Sequence, residues 1–246
     1  MAEAPALEIR DLRFRYAGSA PGAWVVDVPA LTLARGEQML LTGGSGRGKS
    51  TLLQIIAGLM DPSPARGAGE GSCGVVLVDG HNIHELRGAK RDLFRGRRIG
   101  MIFQTFNLLH GFTALENVMA ALMFSQVPAR EHRERAGALL RRLGIDRVDA
   151  PPERLSVGQQ QRVAVARALA TGPVLVLADE PTASLDPENA AAAMDLIQGA
   201  CRESGAALLC VSHDPAMAAR FERREELSTL GRSVAVPEGV LGGIGP

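Results

Sequence analysis

The sequence predicts an α/β fold, and two observations lead to this prediction. Four apolar segments of strand length end in a glycine or a polar loop: QMLLTGG, GVVLVDG, PVLVLADE and ALLCVSHD. Near-continuous apolar strands separated by helical stretches are typical of a mainly parallel sheet with helices on both faces. The first forty residues instead alternate apolar and polar positions, which is typical of antiparallel strands with one solvated face.

The N-terminal part is therefore predicted to form an antiparallel β subdomain beside the core. The alternation is nearly regular, with a slip at Asp11, and it resumes in VVDVPALTL. Its apolar positions in the first strand are Leu7, Ile9, Leu12 and Phe14.

The middle of the chain is predicted to be helical. Thr113 and Glu116 have the spacing of a capping box, and an apolar stripe at helical spacing follows. The members of this stripe are Leu115, Val118, Met119, Leu122 and Met123. A second helix, REHRERAGALLRRLG, is expected to end at Gly144.

We expect one domain over residues 1–246. Its core is predicted at about 5–104 and 166–230, with a helical subdomain at about 105–165 inserted into it. The glycine- and proline-rich stretch 61–74 predicts a surface loop, and 231–246 a tail.

Composition restricts the functional classes. The 27 basic residues equal the 27 acidic ones, so no global charge indicates nucleic-acid binding. Cys73, Cys201 and Cys210 have neither metal-ligand nor disulfide spacing. The basic stretch RGAKRDLFRGRR (87–98) lacks the interleaved aromatic residues that stack on bases, and we interpret it as a solvated surface. No apolar run approaches the roughly 18 residues of a membrane helix, and the N-terminus has no signal pattern.

The first chemical motif is a phosphate loop between a predicted strand and a predicted helix. GGSGRGKS (43–50) matches G-x-x-x-x-G-K-[ST], whose backbone N–H groups and following helix N-terminus bind phosphate. Lys49 is expected to reach the β- and γ-phosphates, and the Ser50 hydroxyl to hold Mg²⁺. The motif indicates a nucleoside triphosphate, with predicted contacts at Gly43, Gly44, Ser45, Gly46, Arg47, Gly48, Lys49, Ser50 and Thr51.

An acidic pair ends another predicted strand. In VLVLADEP, Asp179 and Glu180 follow the apolar run, at the edge of the sheet where the phosphate loop also lies. Asp179 suits the Mg²⁺ site because Mg²⁺ prefers oxygen ligands. Glu180 is the candidate general base for an attacking water, although such a pair is also a common helix cap.

With LSVGQ at 155–159 between these two motifs, the chain resembles the ATP-binding subunit of ABC transporters over nearly its whole length. The phosphate loop at 43–51, FQ at 103–104, LADEP at 177–181, SLD at 184–186 and SH at 212–213 stand in that family's order. The resemblance implies a P-loop NTPase core and an ATPase that uses ATP and Mg²⁺. It also implies a head-to-tail homodimer and a separate membrane permease as partners.

The resemblance also implies roles for further residues. Gln104 would contact Mg²⁺ and the water, His213 would contact the γ-phosphate, and Asp186 would lie in a loop at the dimer interface. The signature residues Ser156, Val157, Gly158 and Gln159 would complete the ATP site of the second chain. Val157 departs from the family pattern, which has glycine at this position, while the serine and the second glycine remain.

Two further surfaces follow from the same resemblance. An aromatic residue near the end of an early strand usually stacks on adenine; Tyr16 is the candidate, with Phe14 and Trp24 as rivals. The segment after Gln104 is expected to dock the permease through Phe106, Leu108 and Leu109, or else to belong to the core.

Within the family, FNLLHGFTALENV resembles subunits of the lipoprotein-releasing and macrolide-exporter type. The expected location is cytoplasmic, peripheral on the inner face of the membrane, without nucleic-acid binding. Two alternatives are a soluble ABC-type ATPase in translation or DNA repair, and a phosphotransferase that uses the same loop. The first usually carries two cassettes or a long coiled coil, and the second does not need LSVGQ.

Overall fold

Two β-sheets and a set of helices build the protein in this computed structural model, which describes residues 3–20, 23–44, 46, 48–63 and 74–230. The predicted tail at 231–246, most of the predicted loop at 61–74, and Cys73, Ser45 and Arg47 lie outside the described residues. Within the described ranges no helix combines the length and the apolar character needed to cross a bilayer.

The first sheet is antiparallel and starts as the alternation predicts. Strands β1 (Leu7–Phe14) and β2 (Val26–Leu33) pair from Leu7 with Leu33 to Phe14 with Val26. Asp11 takes a positive φ of 49° at the slip in the pattern. Strands β4 (Val75–Val78) and β5 (His81–Asn82) extend this sheet in the order β2-β1-β4-β5.

The assignment of GVVLVDG to the parallel core is therefore wrong. Its strand β4 runs antiparallel to β1, with Leu7 opposite Val78 and Arg10 opposite Val75. Only alternate residues of β4 are fully buried, while Val75 and Leu77 are half-buried. An apolar run of four residues indicates a strand but does not say which sheet it joins.

The second sheet is parallel and carries the core. Its strands are β3 (Gln38–Thr42), β6 (Ile99–Ile102), β7 (Leu175–Asp179), β8 (Ala207–Val211) and β9 (Arg223–Glu226), in the order β6-β7-β8-β3-β9. The edge strands β6 and β9 were not predicted, because IGMI is short and RREE is polar. Central strands β7 and β8 are almost continuously buried, as expected for a sheet covered on both faces.

Helices cover both faces of this sheet. They are α1 (Lys49–Ile56), α2 (Ala89–Arg98), α3 (Ala114–Leu122), α4 (Ala129–Arg142), α5 (Val157–Leu169), α6 (Pro187–Ser204), α7 (Pro215–Ala218) and α8 (Leu227–Leu230), with a 3₁₀ turn at Pro152–Arg154. One apolar cluster fills the space between the two sheets and α1, and another joins the opposite face to α3, α4, α5 and α6.

The middle of the chain is helical as predicted. The Thr113 side chain accepts a hydrogen bond from the Glu116 backbone N–H, and Glu116 accepts one from the Thr113 backbone, which completes the capping box. Helix α4 ends at Arg142, and Gly144 follows with a φ of +76°. The predicted stripe is wrong at Met123, which lies beyond the last turn of α3 and is 74% exposed.

Candidate active site

The phosphate loop joins β3 to α1 in a conformation that depends on glycine. Gly48 has a φ of +85°, and a Cβ atom there would lie 2.3 Å from the carbonyl oxygen of Val25. Lys49, the first residue of α1, is buried, and its Nζ donates hydrogen bonds to the carbonyls of Gly43 at 2.8 Å and Gly44 at 3.1 Å. The ammonium group is thus held over the loop, where a phosphate would bind.

Two oxygen groups suited to a divalent cation meet beside this loop. The Ser50 hydroxyl donates to Asp179 Oδ1 at 3.0 Å, joining the start of α1 to the end of β7. The pKa of Asp179 is raised, mainly by burial and also by the neighbouring charge of Glu180. The hydrogen bond from Ser50 and the charge of Lys49 act in the opposite direction but do not cancel this increase. A carboxylate paired with a hydroxyl in partly buried surroundings is the donor chemistry that Mg²⁺ prefers, so the residues present fit this ion.

Glu180 and His213 form an acid–base pair next to this group. His213 Nδ1 lies 2.8 Å from Glu180 Oε1, and Lys49 Nζ lies 3.9 Å from the same oxygen. The His213 backbone N–H donates to Glu180 Oε2 at 3.4 Å. The Glu180 carboxylate is therefore contacted from two sides while the His213 ring remains largely exposed. Such a carboxylate can accept a proton from a nearby water.

Glu180 also has an unusual backbone, which the sequence did not indicate. Its φ is +46°, a left-handed conformation that costs a non-glycine residue about 1–3 kcal/mol. Its N–H donates to the Val211 carbonyl at 3.0 Å, which fixes this conformation against the end of β8. The carboxylate is thereby turned toward Lys49 and His213 instead of continuing the line of β7.

Gln104 lies at the same edge of the sheet. It follows β6, which pairs with β7 so that Ile102 is opposite Ala178, and it is exposed on a turn. Its carbonyl accepts a hydrogen bond from the Ser184 hydroxyl at 3.5 Å. The described residues show no hydrogen bond from its side chain to Ser50 or Asp179.

Tyr16 is the aromatic residue with an open face beside the phosphate loop. Its hydroxyl lies 3.0 Å from Thr51 Oγ1 on α1, and the residue is 49% exposed. Phe14 is buried and packs edge-on against Tyr16 at 5.0 Å. Trp24 faces the guanidinium groups of Arg13 and Arg15. Of the three candidates, Tyr16 is the most exposed.

The signature residues start helix α5. Ser156 is its N-cap: Oγ accepts from the Gln159 backbone N–H at 3.3 Å, and Gln159 Oε1 accepts from the Ser156 N–H at 3.0 Å. Val157 is 52% exposed, and no atom lies near the position of a Cβ on Gly158. These residues share no hydrogen bond with the phosphate loop within the described part of the single chain.

Asp186 lies beside the signature. Its carboxylate caps helix α6 by accepting hydrogen bonds from Asn189, at 3.1 Å from the backbone N–H and at 2.6 Å from the side-chain amide. The hydrogen bond from the Asn189 side chain holds the pKa of Asp186 below its usual value. A cleft of about 420 Å³ separates the start of α5 from this cap, with Ser156, Ser184 and Asp186 in its lining.

The segment after Gln104 is only partly a surface. Phe106 is buried and Leu108 packs against the core, as the core alternative expects, whereas Leu109 is 42% exposed. Phe106 and Asn107 both have positive φ values. The guanidinium of Arg167 on α5 donates hydrogen bonds to both carbonyl oxygens, at 2.7 Å to that of Phe106 and at 2.5 Å to that of Asn107. Burial lowers the pKa of Arg167. Sequence reasoning missed this contact, because it joins residues about 60 positions apart.

Comparison with known proteins places the chain among transport ATPases. Residues 26–183 match the family described as ABC transporter. The chain is 45% identical to the lipoprotein-releasing system ATP-binding protein LolD 1 of Caulobacter vibrioides, over 80% of this chain and 82% of that protein. It is 37% identical to the macrolide export ATP-binding/permease protein MacB 1 of Yersinia pestis bv. Antiqua, over 93% of this chain but 34% of that protein.

Two solved structures have the same fold. The dimeric post-hydrolysis state of the ATP-binding cassette MJ0796, bound to ADP and Pi, has a TM-score of 0.75 and 33% identity, covering 89% of this chain and 93% of that one. The cbiO1 protein of Clostridium perfringens, part of the transporter complex cbiONQ, has a TM-score of 0.71 and 30% identity, covering 86% of this chain and 80% of that one.

Proposed function

Because the chain belongs to the ABC transporter family as one of its ATP-binding, ATP-hydrolysing subunits, we propose that it powers a separate membrane permease by closing into a head-to-tail dimer around ATP. One observation carries the proposal. Five side chains converge on one phosphate loop: Lys49, Ser50, Asp179, Glu180 and His213. The signature residues, in contrast, line a different cleft.

The residues around the loop divide the chemistry of hydrolysis. Lys49 and the loop N–H groups bind the β- and γ-phosphates. Ser50 and Asp179, with Gln104, would hold Mg²⁺, which neutralises charge on the phosphates. Glu180 takes the proton of the attacking water, and His213 keeps the Glu180 carboxylate in place through their 2.8 Å contact. Tyr16 stacks on the adenine.

The second chain supplies the other half of each site. The Ser156 oxygen already accepts a hydrogen bond from Gln159, but its proton remains available for an anion. Gly158 leaves the start of α5 open, and the helix dipole there favours a negative group. Ser156, Val157, Gly158 and Gln159 would thus face the γ-phosphate of an ATP held by the partner, with Asp186 at the interface.

The permease is proposed to dock beside the segment after Gln104. Five of the eight exposed large apolar side chains among the described residues lie between 93 and 124: Leu93, Leu109, Phe112, Met123 and Phe124. A groove of about 550 Å³ lies in the same region, lined by Gly96, Phe103, Asn107 and Phe124. Phe124 is the one of these five side chains that lines the groove, and exposed apolar side chains gathered in one region are typical of a protein interface.

The names of the relatives suggest the class of transporter. LolD is named as part of a lipoprotein-releasing system and MacB as a macrolide exporter. We therefore propose a permease of this type, with the ATPase on the cytoplasmic face of the membrane. The soluble alternative in translation or repair is not supported, since these relatives are components of transport systems.

The test separates ATP binding from hydrolysis. Glu180→Gln keeps the shape of the side chain and should lower turnover by about 10²–10⁴ while ATP affinity is retained. Lys49→Ala should instead abolish high-affinity ATP binding. Glu188→Gln, an exposed change in the first turn of α6, is the control and should hydrolyse ATP normally.

Gel filtration with Mg²⁺ and ATP then tests the dimer. The Glu180→Gln protein should elute as a dimer and the Lys49→Ala protein as a monomer. A Glu180→Gln protein with native turnover would exclude Glu180 as the base, and a monomer at saturating ATP would contradict ATP-driven dimerisation.

A further inference from the structure

Helix α5, all of which the structure describes, buries one polar side chain. This residue is Gln161, the fifth of the helix, and it is 2% exposed. The other buried residues of α5 are valine, alanine and leucine. A buried amide lowers stability unless it is hydrogen-bonded, so the group that Gln161 contacts indicates its role.

The partner of Gln161 lies next to the candidate base. Gln161 Nε2 donates a hydrogen bond to the carbonyl oxygen of Pro181 at 3.3 Å, and Pro181 directly follows Glu180. Proline has no N–H, so this carbonyl is its only backbone group that can form a hydrogen bond. Gln161 therefore holds the backbone at the residue after Glu180.

The backbone around Glu180 is held from three directions. Its N–H donates to the Val211 carbonyl on β8 at 3.0 Å, and its own carbonyl accepts from the Ala183 N–H at 3.2 Å. The hydrogen bond from Gln161 to Pro181 is the third. The first two join backbone groups, whereas the third is lost when the amide of Gln161 is replaced. Each of them opposes relaxation of Glu180 from its φ of +46°.

We propose that Gln161 is a positioning residue for ATP hydrolysis, which acts on Glu180 through the carbonyl of Pro181. The left-handed backbone of Glu180 turns its carboxylate toward Lys49 and His213, at 3.9 and 2.8 Å. Loss of the hydrogen bond to Pro181 lets this backbone rotate and moves the carboxylate away from both groups. The inference rests on the proposed function, in which Glu180 takes the proton of the attacking water.

The same helix carries the signature at its start. Ser156 is the N-cap of α5, and Gln161 lies five residues further along, a distance of about 7.5 Å on the helix axis. Both residues line the cleft beside the cap of α6. A movement of the start of α5 would therefore reach the backbone beside Glu180 through Gln161.

A second buried glutamine provides a matched control. Gln198 on α6 is 6% exposed, and its Nε2 donates to the carbonyl of Arg220 at 3.0 Å. Gln161→Met and Gln198→Met each remove a hydrogen bond from a buried amide to a backbone carbonyl while keeping a side chain of similar length. The two variants should lose similar stability in thermal melts, but only Gln161→Met should lose turnover.

Turnover and ATP affinity are measured on the full chain. Gln161→Met should lower kcat about three- to tenfold, which corresponds to the net loss of one neutral hydrogen bond. The Kd for a fluorescent ATP analogue should change less than about twofold, because Lys49 and Ser50 are untouched. Gln161→Asn keeps the amide but is too short to reach the carbonyl, and should lose as much turnover as Gln161→Met. Gln198→Met should change kcat and Kd less than about twofold.

A double-mutant cycle with Glu180→Gln separates positioning from general damage. If Gln161 acts through the Glu180 carboxylate, its loss has no effect once that carboxylate is gone. Adding Gln161→Met to Glu180→Gln should therefore lower the residual hydrolysis, measured in single turnovers with labelled ATP, less than about twofold.

Three results would overturn the proposal. They are native turnover in both Gln161 variants, an equal loss of turnover in Gln198→Met, and a further loss of about three- to tenfold when Gln161→Met is added to Glu180→Gln. None of these results touches the proposed function, whose base is refuted only if Glu180→Gln by itself hydrolyses ATP at the native rate.

Discussion

Arg167→Met should separate catalytic turnover from nucleotide binding. The guanidinium of Arg167 joins helix α5 to the carbonyls of Phe106 and Asn107, at 2.7 and 2.5 Å. These two residues follow Gln104 closely and have φ values of 57° and 47°. Without Arg167 the carbonyls of both residues lose these charged contacts, and the left-handed segment should relax toward other conformations.

The size of the effect follows from these contacts. Hydrogen bonds from a charged donor contribute about 1.5–3 kcal/mol each. Relief of the left-handed strain offsets part of this loss, by about 1–3 kcal/mol at Phe106 and by less at Asn107, because asparagine adopts this conformation more readily. We expect a net change of about 2 kcal/mol, or roughly 30-fold in the population of the native segment.

The assay compares two quantities on one protein. Steady-state ATP hydrolysis should fall about 10- to 30-fold, because Gln104 is no longer held at the sheet edge. The Kd for a fluorescent ATP analogue should change less than about twofold, since Lys49 and Ser50 are untouched. Arg167→Lys keeps one possible donor contact and should be intermediate.

A matched control lies on the protein surface. Arg142 pairs with Glu203 at 2.8 Å, with both side chains more than half exposed, and such pairs contribute about 0–1 kcal/mol. Arg142→Met should therefore hydrolyse ATP normally. If Arg167→Met weakened ATP binding as much as turnover, or left turnover intact, Arg167 would not position the segment after Gln104.

Three other predictions concern the dimer, acid stability and the thiols. Ser156→Arg should leave ATP binding to the monomer unchanged but prevent the ATP-dependent dimer in gel filtration; native hydrolysis by this variant would show that the two half-sites do not meet. Burial lowers the pKa of His84 from 6.5 despite its hydrogen bond to Asp61, so the unfolded chain binds a proton that the folded chain does not. The free energy of unfolding should therefore fall as the pH drops below about 6.5, and His84→Asn should flatten this slope in denaturant titrations at several pH values. Burial raises the pKa of Cys201 to about 12 and raises that of Cys210 further, so neither thiol should react with iodoacetamide in the native chain.

Local motifs made most of the fold predictable. The phosphate loop lies between a strand and a helix, as its sequence requires, and the capping box at Thr113 forms with both of its hydrogen bonds. The strand VVLV was assigned to the wrong sheet because its partner β1 lies more than sixty residues away. Strand partners are decided by tertiary packing, which a short apolar run does not encode.

The site was predictable where a motif carries its own geometry. Ser50 and Asp179 come from different motifs, and the parallel sheet brings them to 3.0 Å because the carboxyl ends of β3 and β7 share an edge. The left-handed backbone of Glu180 was not predictable, because a positive φ at a non-glycine residue leaves no local pattern in the sequence. The hydrogen bond of Arg167 to Phe106 was not predictable either, because it joins residues about 60 positions apart.

Helix α5 connects these results. Its N-cap is Ser156, whose oxygen accepts a hydrogen bond from Gln159 and whose proton remains available to another acceptor. Its last turn carries Arg167, which holds the segment after Gln104. In the proposed dimer, a phosphate bound at Ser156 would belong to the ATP of the partner chain, while Gln104 would lie beside the ATP of its own chain. Helix α5 would therefore join the two sites of the proposed dimer, so that displacing its start would strain the contacts at its end.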